Sequence, residues 1–330
     1  MRVSGAVRKG LLCAAIAAQV AIIASSGATA QSYPVKPLRY VIDTSPGGVT
    51  DILGRLSAEN LSLQSGKPVV VENRSGGLGF VALEHFMKVP NDGYTLMVVS
   101  SGALVLQPLM QRNVPYDPAA DFLPVFNIAE TPHILVVPGT LAVNNVAEFV
   151  AYVRANPGKI NYGSSGVGGP PHLAIDKFSR ITGAKMTHIP YKGTAGTLSD
   201  LVAGRIQIVS MSLGSARANL KSGSLRAIAT GAKRRLAGLP DVPTAAEAGL
   251  PDWEMSAWFG IVAPKGTPAD IVRYLNSRQQ TWLDEDKTRA RFVDLGAEPV
   301  GGTPESFVER LRADIRLWSQ LVKDSGVKIE

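Results

Sequence analysis

Hydrophobic and polar positions follow two rhythms along this chain. Leu38 to Ile42 is a short apolar run that predicts a strand, and it leads into Pro46-Gly47-Gly48. From Asp51 to Leu63, apolar residues fall at Ile52, Leu53, Leu56 and Leu63, near helical period. A strand at Pro68 to Val71, a helix at Leu78 to Met87 and a strand at Thr95 to Val99 follow. A second series starts at Ile134 to Val137. Asn144 to Asn156 sets Val146, Phe149, Val150 and Val153 on one helical face and stops at Asn156-Pro157-Gly158. Further strands are expected at Lys159 to Tyr162, Met186 to Ile189, Ile206 to Val209 and Leu225 to Ala229, with helices starting near Pro170, Thr194 and Leu213. The last part is helical. Thr267-Pro268-Ala269-Asp270 and Thr303-Pro304-Glu305 each read as a capped helix start with proline first. Repeated strand, turn and helix predict an α/β fold of two units with mainly parallel sheets, followed by C-terminal helices. Open sheets of this kind bind ligands beyond the carboxyl ends of their strands, where loops enter helices.

The first thirty residues obey neither rhythm. Arg2, Arg8 and Lys9 precede a nearly unbroken apolar run from Gly10 to Ala24, and Ala28-Thr29-Ala30 closes the segment. That is the three-part pattern of a secretory signal peptide over residues 1–30, with Gln31 as the new N-terminus. The run of about 15 residues falls short of the roughly 20 that span a bilayer. Cys13, the one cysteine, follows Leu12 and sits too early for a lipoprotein anchor, so the mature chain has none. Disulfides, zinc–thiolate sites and cysteine nucleophiles are thereby excluded. About 300 residues remain, enough for two ordinary domains. The formal charge of +7 falls to +4 without Arg2, Arg8 and Lys9. Basic residues are scattered, and the tightest run, Lys233-Arg234-Arg235, reads as a solvated turn, so no nucleic-acid face is expected.

Four loops carry the candidate chemistry. Ser45-Pro46-Gly47-Gly48-Val49-Thr50-Asp51 joins a strand to a helix, where glycines let backbone N–H groups approach an anion and Thr50 or Asp51 can cap. Gly77, Gly79 and Ala82 match G-x-G-x-x-A, but the next strand ends Val99-Ser100-Ser101 with no ribose-binding acid, so a structural turn is the better reading. Tyr162-Gly163-Ser164-Ser165-Gly166-Val167-Gly168-Gly169-Pro170 lacks the closing glycine of a G-x-S-x-G elbow; what remains is a donor-rich loop suited to a carboxylate. His188-Ile189-Pro190-Tyr191-Lys192-Gly193-Thr194-Ala195 again links strand to helix. His85, His133, His172 and His188 show no metal-ligand spacing, so neither a metal nor a cofactor is expected.

These loops, in this order, resemble the Bug family, the periplasmic solute receptors of tripartite tricarboxylate transporters. The resemblance rests on Tyr33-Pro34-Val35-Lys36-Pro37, Pro46-Gly47-Gly48, Val70-Val71-Glu72-Asn73-Arg74, Asp92-Gly93-Tyr94-Thr95-Leu96, His188-Ile189-Pro190-Tyr191-Lys192-Gly193 and Leu239-Pro240-Asp241-Val242-Pro243-Thr244, and runs from about Tyr33 to Lys328. It implies a type II periplasmic-binding-protein flytrap. Domain 1 would hold residues 31–131 and 254–330, and domain 2 residues 132–253. It implies a non-enzymatic periplasmic receptor that captures a small carboxylate and hands it to integral membrane subunits. The implied ligand positions are Pro46 to Asp51, Ala103, Ser164 to Gly169, Gly193-Thr194-Ala195 and Met211-Ser212. A monomer is expected. The chain departs from the family pattern at Ile42-Asp43-Thr44-Ser45-Pro46, where V-P-F-P-P is usual, and at Val49, Ala103, Leu104, Val167, Pro170-Pro171 and Met211, where polar side chains are frequent. The glycine framework survives while several side-chain donors do not. The expected ligand is therefore a monocarboxylate with an apolar or aromatic body, rather than citrate or aspartate. Asp43 disfavours a highly charged ligand, or meets a cationic group.

Three other readings stay open on sequence. A sensory receptor of the same fold would signal to a membrane kinase. An exported hydrolase would need a nucleophile, base and oxyanion donors, and no such set converges. An orphan of the family would have lost its pocket.

Overall fold

The computed structural model describes residues 33–111 and 114–327. The expected signal segment lies outside the described residues, as does the Arg112-Asn113 pair. Residues 37–330 make up one unit; of the other, residues 1–36, only 33–36 are described, as bends and irregular chain.

The predicted rhythms become elements close to their expected places. Strand β1 (Leu38–Ile42) leads to helix α1 (Val49–Ser65), then β2 (Val69–Asn73), a 3-10 turn at Gly77–Gly79, α2 (Phe80–Phe86) and β3 (Thr95–Ser100). A π-helical turn at Gly102–Leu106 and a helical turn at Gln107–Leu109 follow. The long strand β4 (Phe122–Pro138) opens the second series: α3 (Val146–Ala155), β5 (Asn161–Ser164), α4 (Pro170–Thr182), β6 (Thr187–Pro190), α5 (Thr194–Val202), β7 (Ile208–Ser212), α6 (Leu213–Lys221) and β8 (Leu225–Thr230). Strand β9 (Ser256–Pro264) returns, and α7 (Ala269–Leu283), α8 (Asp286–Leu295), the short β10 (Glu298–Pro299) and α9 (Pro304–Ser325) complete the chain.

Local chemistry sets the boundaries. Helix α1 ends at Gly66 in the left-handed region, where its N–H reaches the Ser62 carbonyl. At α3, Asn145 accepts from the Glu148 N–H, and Glu148 reaches back to the Asn144 N–H, a reciprocal cap. At α9, Thr303 accepts from the Ser306 N–H and Pro304 opens the helix. The matching start expected at Thr267 differs. There the Thr267 hydroxyl donates to the Pro264 carbonyl, and Pro268 takes the cap position of α7.

The sheet runs β2-β1-β3-β9-β4-β7-β5-β6, with β8 and β10 also paired to β4. Each half has a parallel core: β1 between β2 and β3, and β5 between β6 and β7. The pairings that join those cores to β4 and β9 are antiparallel, so the sheet as a whole is mixed. The reason is connection geometry. Parallel neighbours need crossover helices, which the first and second series supply, whereas β9 returns after β8 and runs back along β4. Strand β4 belongs to both halves. Its residues 122–132 pair with β9, from Phe122 opposite Pro264 to Pro132 opposite Ser256. From His133 it pairs instead with β7 and β8, with Ile134 opposite Met211 and Thr230.

Helices cover these strands and close the core. Trp258 of β9 meets the Phe307 ring of α9 edge-on at 5.0 Å. Trp253, fully buried, donates its indole N–H to the Ala174 carbonyl of α4 at 2.7 Å. Among the described residues no helix is long and apolar enough to cross a membrane.

Candidate functional site

The carboxyl ends of β1, β3 and β5 face a cleft of about 1080 Å3. One wall comes from the first series: Asp43, Thr44 and Ser45 after β1, Ser75, Gly76 and Gly79 after β2, and Ser100, Gly102 and Ala103 at the end of β3. Leu106, Gln107, Met110 and Gln111 extend it, and Val327 adds to it from beyond α9. The opposite wall is the loop Ser165 to Pro170 between β5 and α4. Gly79 can only be glycine. Its φ is +101°, and a Cβ there would lie 2.6 Å from that of Ala103. The two walls meet at Gly168, where an added Cβ would displace the flexible end of Met110.

Of the expected ligand positions, the structure brings Ala103, Ser165, Gly166, Val167, Gly168 and Gly169 to the cleft. Pro46, Gly47, Gly48, Val49, Thr50 and Asp51 sit just behind its rim and do not line it. The two glycine donors are used inside the loop. The Gly47 N–H goes to Asp51 Oδ2 at 2.9 Å, and the Gly48 N–H to the Ser45 carbonyl at 3.4 Å. Burial pushes the Asp51 carboxyl up, but bonds from Arg55, Gly47 and Asn73 outweigh that and hold it below the usual carboxylate range. Ser164 is buried under its loop, where its hydroxyl donates to the Gly166 carbonyl at 2.8 Å. Gly193, Thr194 and Ala195 form the start of α5, and neither they nor Met211 and Ser212 line the cleft. Met211 packs in the second core and Ser212 caps α6.

A stack of aromatic rings holds the Ser165 to Gly169 loop. His172 and His188 lie face to face at 3.9 Å, with Tyr162 against His188 at 4.8 Å. His172 Nδ1 accepts the Gly168 N–H at 3.0 Å, which places its own proton on Nε2. His188 Nε2 lies 2.7 Å from the Ser164 hydroxyl. Because that hydroxyl donates to Gly166, the histidine supplies the proton of this bond. Both histidines are kept neutral: burial lowers His172, and burial together with the His172 neighbour takes His188 to about 4. His172→Phe keeps a ring in the stack and removes the acceptor, leaving the buried Gly168 N–H unpaired. Such an orphan costs about 1–3 kcal/mol, so amide hydrogen exchange at Gly166 to Gly169 is expected to speed up by about tenfold or more. Unchanged exchange would remove His172 as the loop's anchor.

Sequence reasoning set the Gly76 to Gly79 turn aside as structural and did not single out Gln107, Met110 or Gln111. The turn follows β2 at the same sheet edge, so the carboxyl-end rule alone would have found it. The other three follow a π-turn that carries no motif. Among the described lining residues Asp43 is the one ionisable side chain, and among the described residues no group of His, Asp and Glu could hold a metal ion.

With this geometry established, known proteins give a consistent comparison. A model described as "Tripartite tricarboxylate transporter family receptor" matches residues 53–327. A solved structure described as "R. palustris Rpa4515 with adipate" is 37% identical, covers 90% of this chain and 99% of its own, and has a TM-score of 0.76. "MatC (Rpa3494) from Rhodopseudomonas palustris with bound malate" is 30% identical over 88% of this chain and all of its own, with a TM-score of 0.71. The periplasmic binding protein BugD is also 30% identical, covering 90% of this chain and 99% of its own, at 0.71. The fold is that of the two-domain type II periplasmic binding proteins.

Proposed function

Since the chain belongs to the tripartite tricarboxylate transporter family of receptors, we propose that it captures a small carboxylated metabolite between its two walls and delivers it to the integral membrane subunits of such a transporter. The observation that carries this reading is the cleft itself, at strand carboxyl ends and lined on one side by the glycine-rich Ser165 to Gly169 loop. Relatives with the same fold hold adipate and malate, both carboxylates.

The finer reading has four parts. The chain is exported to the periplasm through the signal peptide of residues 1–30, and it works there as a monomer. Domain 1 comprises residues 31–131 and 254–330, and domain 2 residues 132–253; the change of β4 partners between Pro132 and His133 supports that division. The protein binds rather than catalyses, a reading supported by its membership of a receptor family. The ligand is a monocarboxylate with an apolar or aromatic body, supported by Ala103, Leu106, Met110, Val167 and Val327 in the walls.

Mass spectrometry of small molecules that co-purify with the exported protein, followed by calorimetry against a carboxylate panel, tests this. A bound carboxylate is expected. Tight binding of citrate or aspartate with no binding of aromatic acids would overturn the apolar preference, and absence of any carboxylate ligand would overturn the receptor reading.

A further inference from the structure

Asp43 stands in the cleft wall with half of its carboxylate unserved. Its side chain is 2% exposed, yet it lines the cavity. Oδ2 accepts from both the N–H and the hydroxyl of Ser100, each at 3.2 Å. Oδ1 is buried and has no hydrogen-bond partner. The next residue repeats the pattern: the buried Thr44 hydroxyl also lacks a partner, and Thr44 also lines the cavity. Buried polar atoms are normally bonded, and buried charges are normally paired. Both residues belong to the same wall of the cleft.

The surroundings explain what would match them. The charged groups on the facing turn of α1, Asp51 and Arg55, are bound to each other at 2.9 Å and to Asn73. From β3 Asp43 meets only Ser100, its own backbone N–H and the Thr50 hydroxyl of α1 pull less strongly, and Gly79 on the neighbouring loop has no side chain. Burial pushes the Asp43 carboxyl up to about 6 against the pull of these hydrogen bonds. It is therefore mostly ionised at neutral pH, inside a wall where no described residue offers a cation.

We propose that Asp43 is a specificity-determining residue that pairs with a positively charged nitrogen on the ligand, so that the cleft selects an amino carboxylate over the matching plain acid or diacid. This rests on the carboxylate-receptor reading above and names which carboxylates it takes. The ligand's carboxylate lies toward the Ser165 to Gly169 loop, its ammonium pairs with the Asp43 carboxylate, and its apolar body spans between. A diacid would bring a second anion against Asp43, which could be relieved only by a shared proton. The two ligand classes therefore carry opposite pH signatures.

Calorimetry on the mature protein with matched probes tests this: 6-aminohexanoate, hexanoate and adipate; phenylalanine and 3-phenylpropanoate; and straight-chain ω-amino acids of three to eight carbons beside their parent acids and diacids. At least one amino carboxylate is expected to bind about ten- to a hundredfold more tightly than its parent acid. Its affinity should rise as the pH goes from 5 to 7.5. Asp43→Asn retains an acceptor for Ser100 and should abolish the preference. Carboxyl-carbon NMR of wild-type Asp43 supplies a readout that does not depend on the variant folding: its pKa should fall on saturation with the amino carboxylate. Plain acids or diacids binding as well as amino carboxylates, or affinity falling as pH rises with Asp43 titrating upward, would overturn the assignment and leave the carboxylate receptor standing. Failure of every carboxylate to bind would overturn both.

Discussion

Replacing Asp314 with alanine is expected to destabilise the protein by about 4 kcal/mol, because it breaks a buried ionic network from one side. Asp314 lies on α9. Its Oδ2 accepts the Trp258 indole N–H at 2.7 Å and its Oδ1 the Arg310 Nε at 3.1 Å. Arg310 also donates to Glu130 of β4 at 3.0 Å and to the Ser256 hydroxyl of β9 at 2.8 Å. The network thus joins α9 to both long strands of the sheet. Burial raises the Asp314 carboxyl despite the adjacent guanidinium, a sign of how little water reaches it. Removing the carboxylate strands two donors at once, the indole N–H and part of the guanidinium. Asp314→Asn, which can still accept from Trp258, should lose less. Urea unfolding followed by tryptophan fluorescence measures both, and a loss under about 1 kcal/mol for the alanine variant would show that the network contributes little.

His133 is expected to make stability pH-dependent by about 2 kcal/mol between pH 7 and pH 5. It lies on β4 at the change of partners, buried, with Nδ1 2.8 Å from the Ser210 hydroxyl. Burial lowers its pKa to about 4. Below pH 6.5 the unfolded chain therefore binds a proton that the folded chain refuses, and stability falls as pH drops from 6.5 towards 4. Asp43 acts in the opposite sense. Its folded pKa of about 6 lies above the unfolded value, so its contribution is lost as pH rises. Total stability mixes these with the lowered His172 and His188, so the comparison is between wild type and His133→Asn. The stability gap separating them should shrink by about 2 kcal/mol from pH 7 to pH 5. A gap independent of pH would mean that His133 takes up its proton as readily in the folded chain as in the unfolded one.

Local pattern carried far into the fold because each predicted element needed only its own residues. The run Leu38 to Ile42, the stop at Asn156-Pro157-Gly158 and the Thr303-Pro304 cap all act within a few residues. The strand–helix alternation also located the cleft in outline, since loops at strand carboxyl ends follow from parallel pairing. The first half of β4 was not legible. Phe122 to Thr131 contains Pro124 and no two-residue alternation, and its partner β9 lies more than a hundred residues downstream.

The division at the site is similar. Residue types in order were enough to mark Gly166 to Gly169 as a loop able to face an anion, and to identify the family to which the chain belongs. The folded conformation of each loop decided which donors are free. Gly47 and Gly48 look equivalent to Gly166 to Gly169 in sequence, yet Asp51 and Ser45 occupy their N–H groups. Gly168 is likewise committed to His172, four residues away across the start of α4. Asp43 shows the same limit most clearly. Its carboxylate is written in the sequence, but its burial against Ser100 and its unpaired Oδ1 exist only because β1 and β3 lie side by side. Glycines and caps act through the local backbone and can be read in order; the state of a loop donor depends on the exact turn its neighbours adopt, and the state of a buried charge on distant neighbours that only the folded chain assembles.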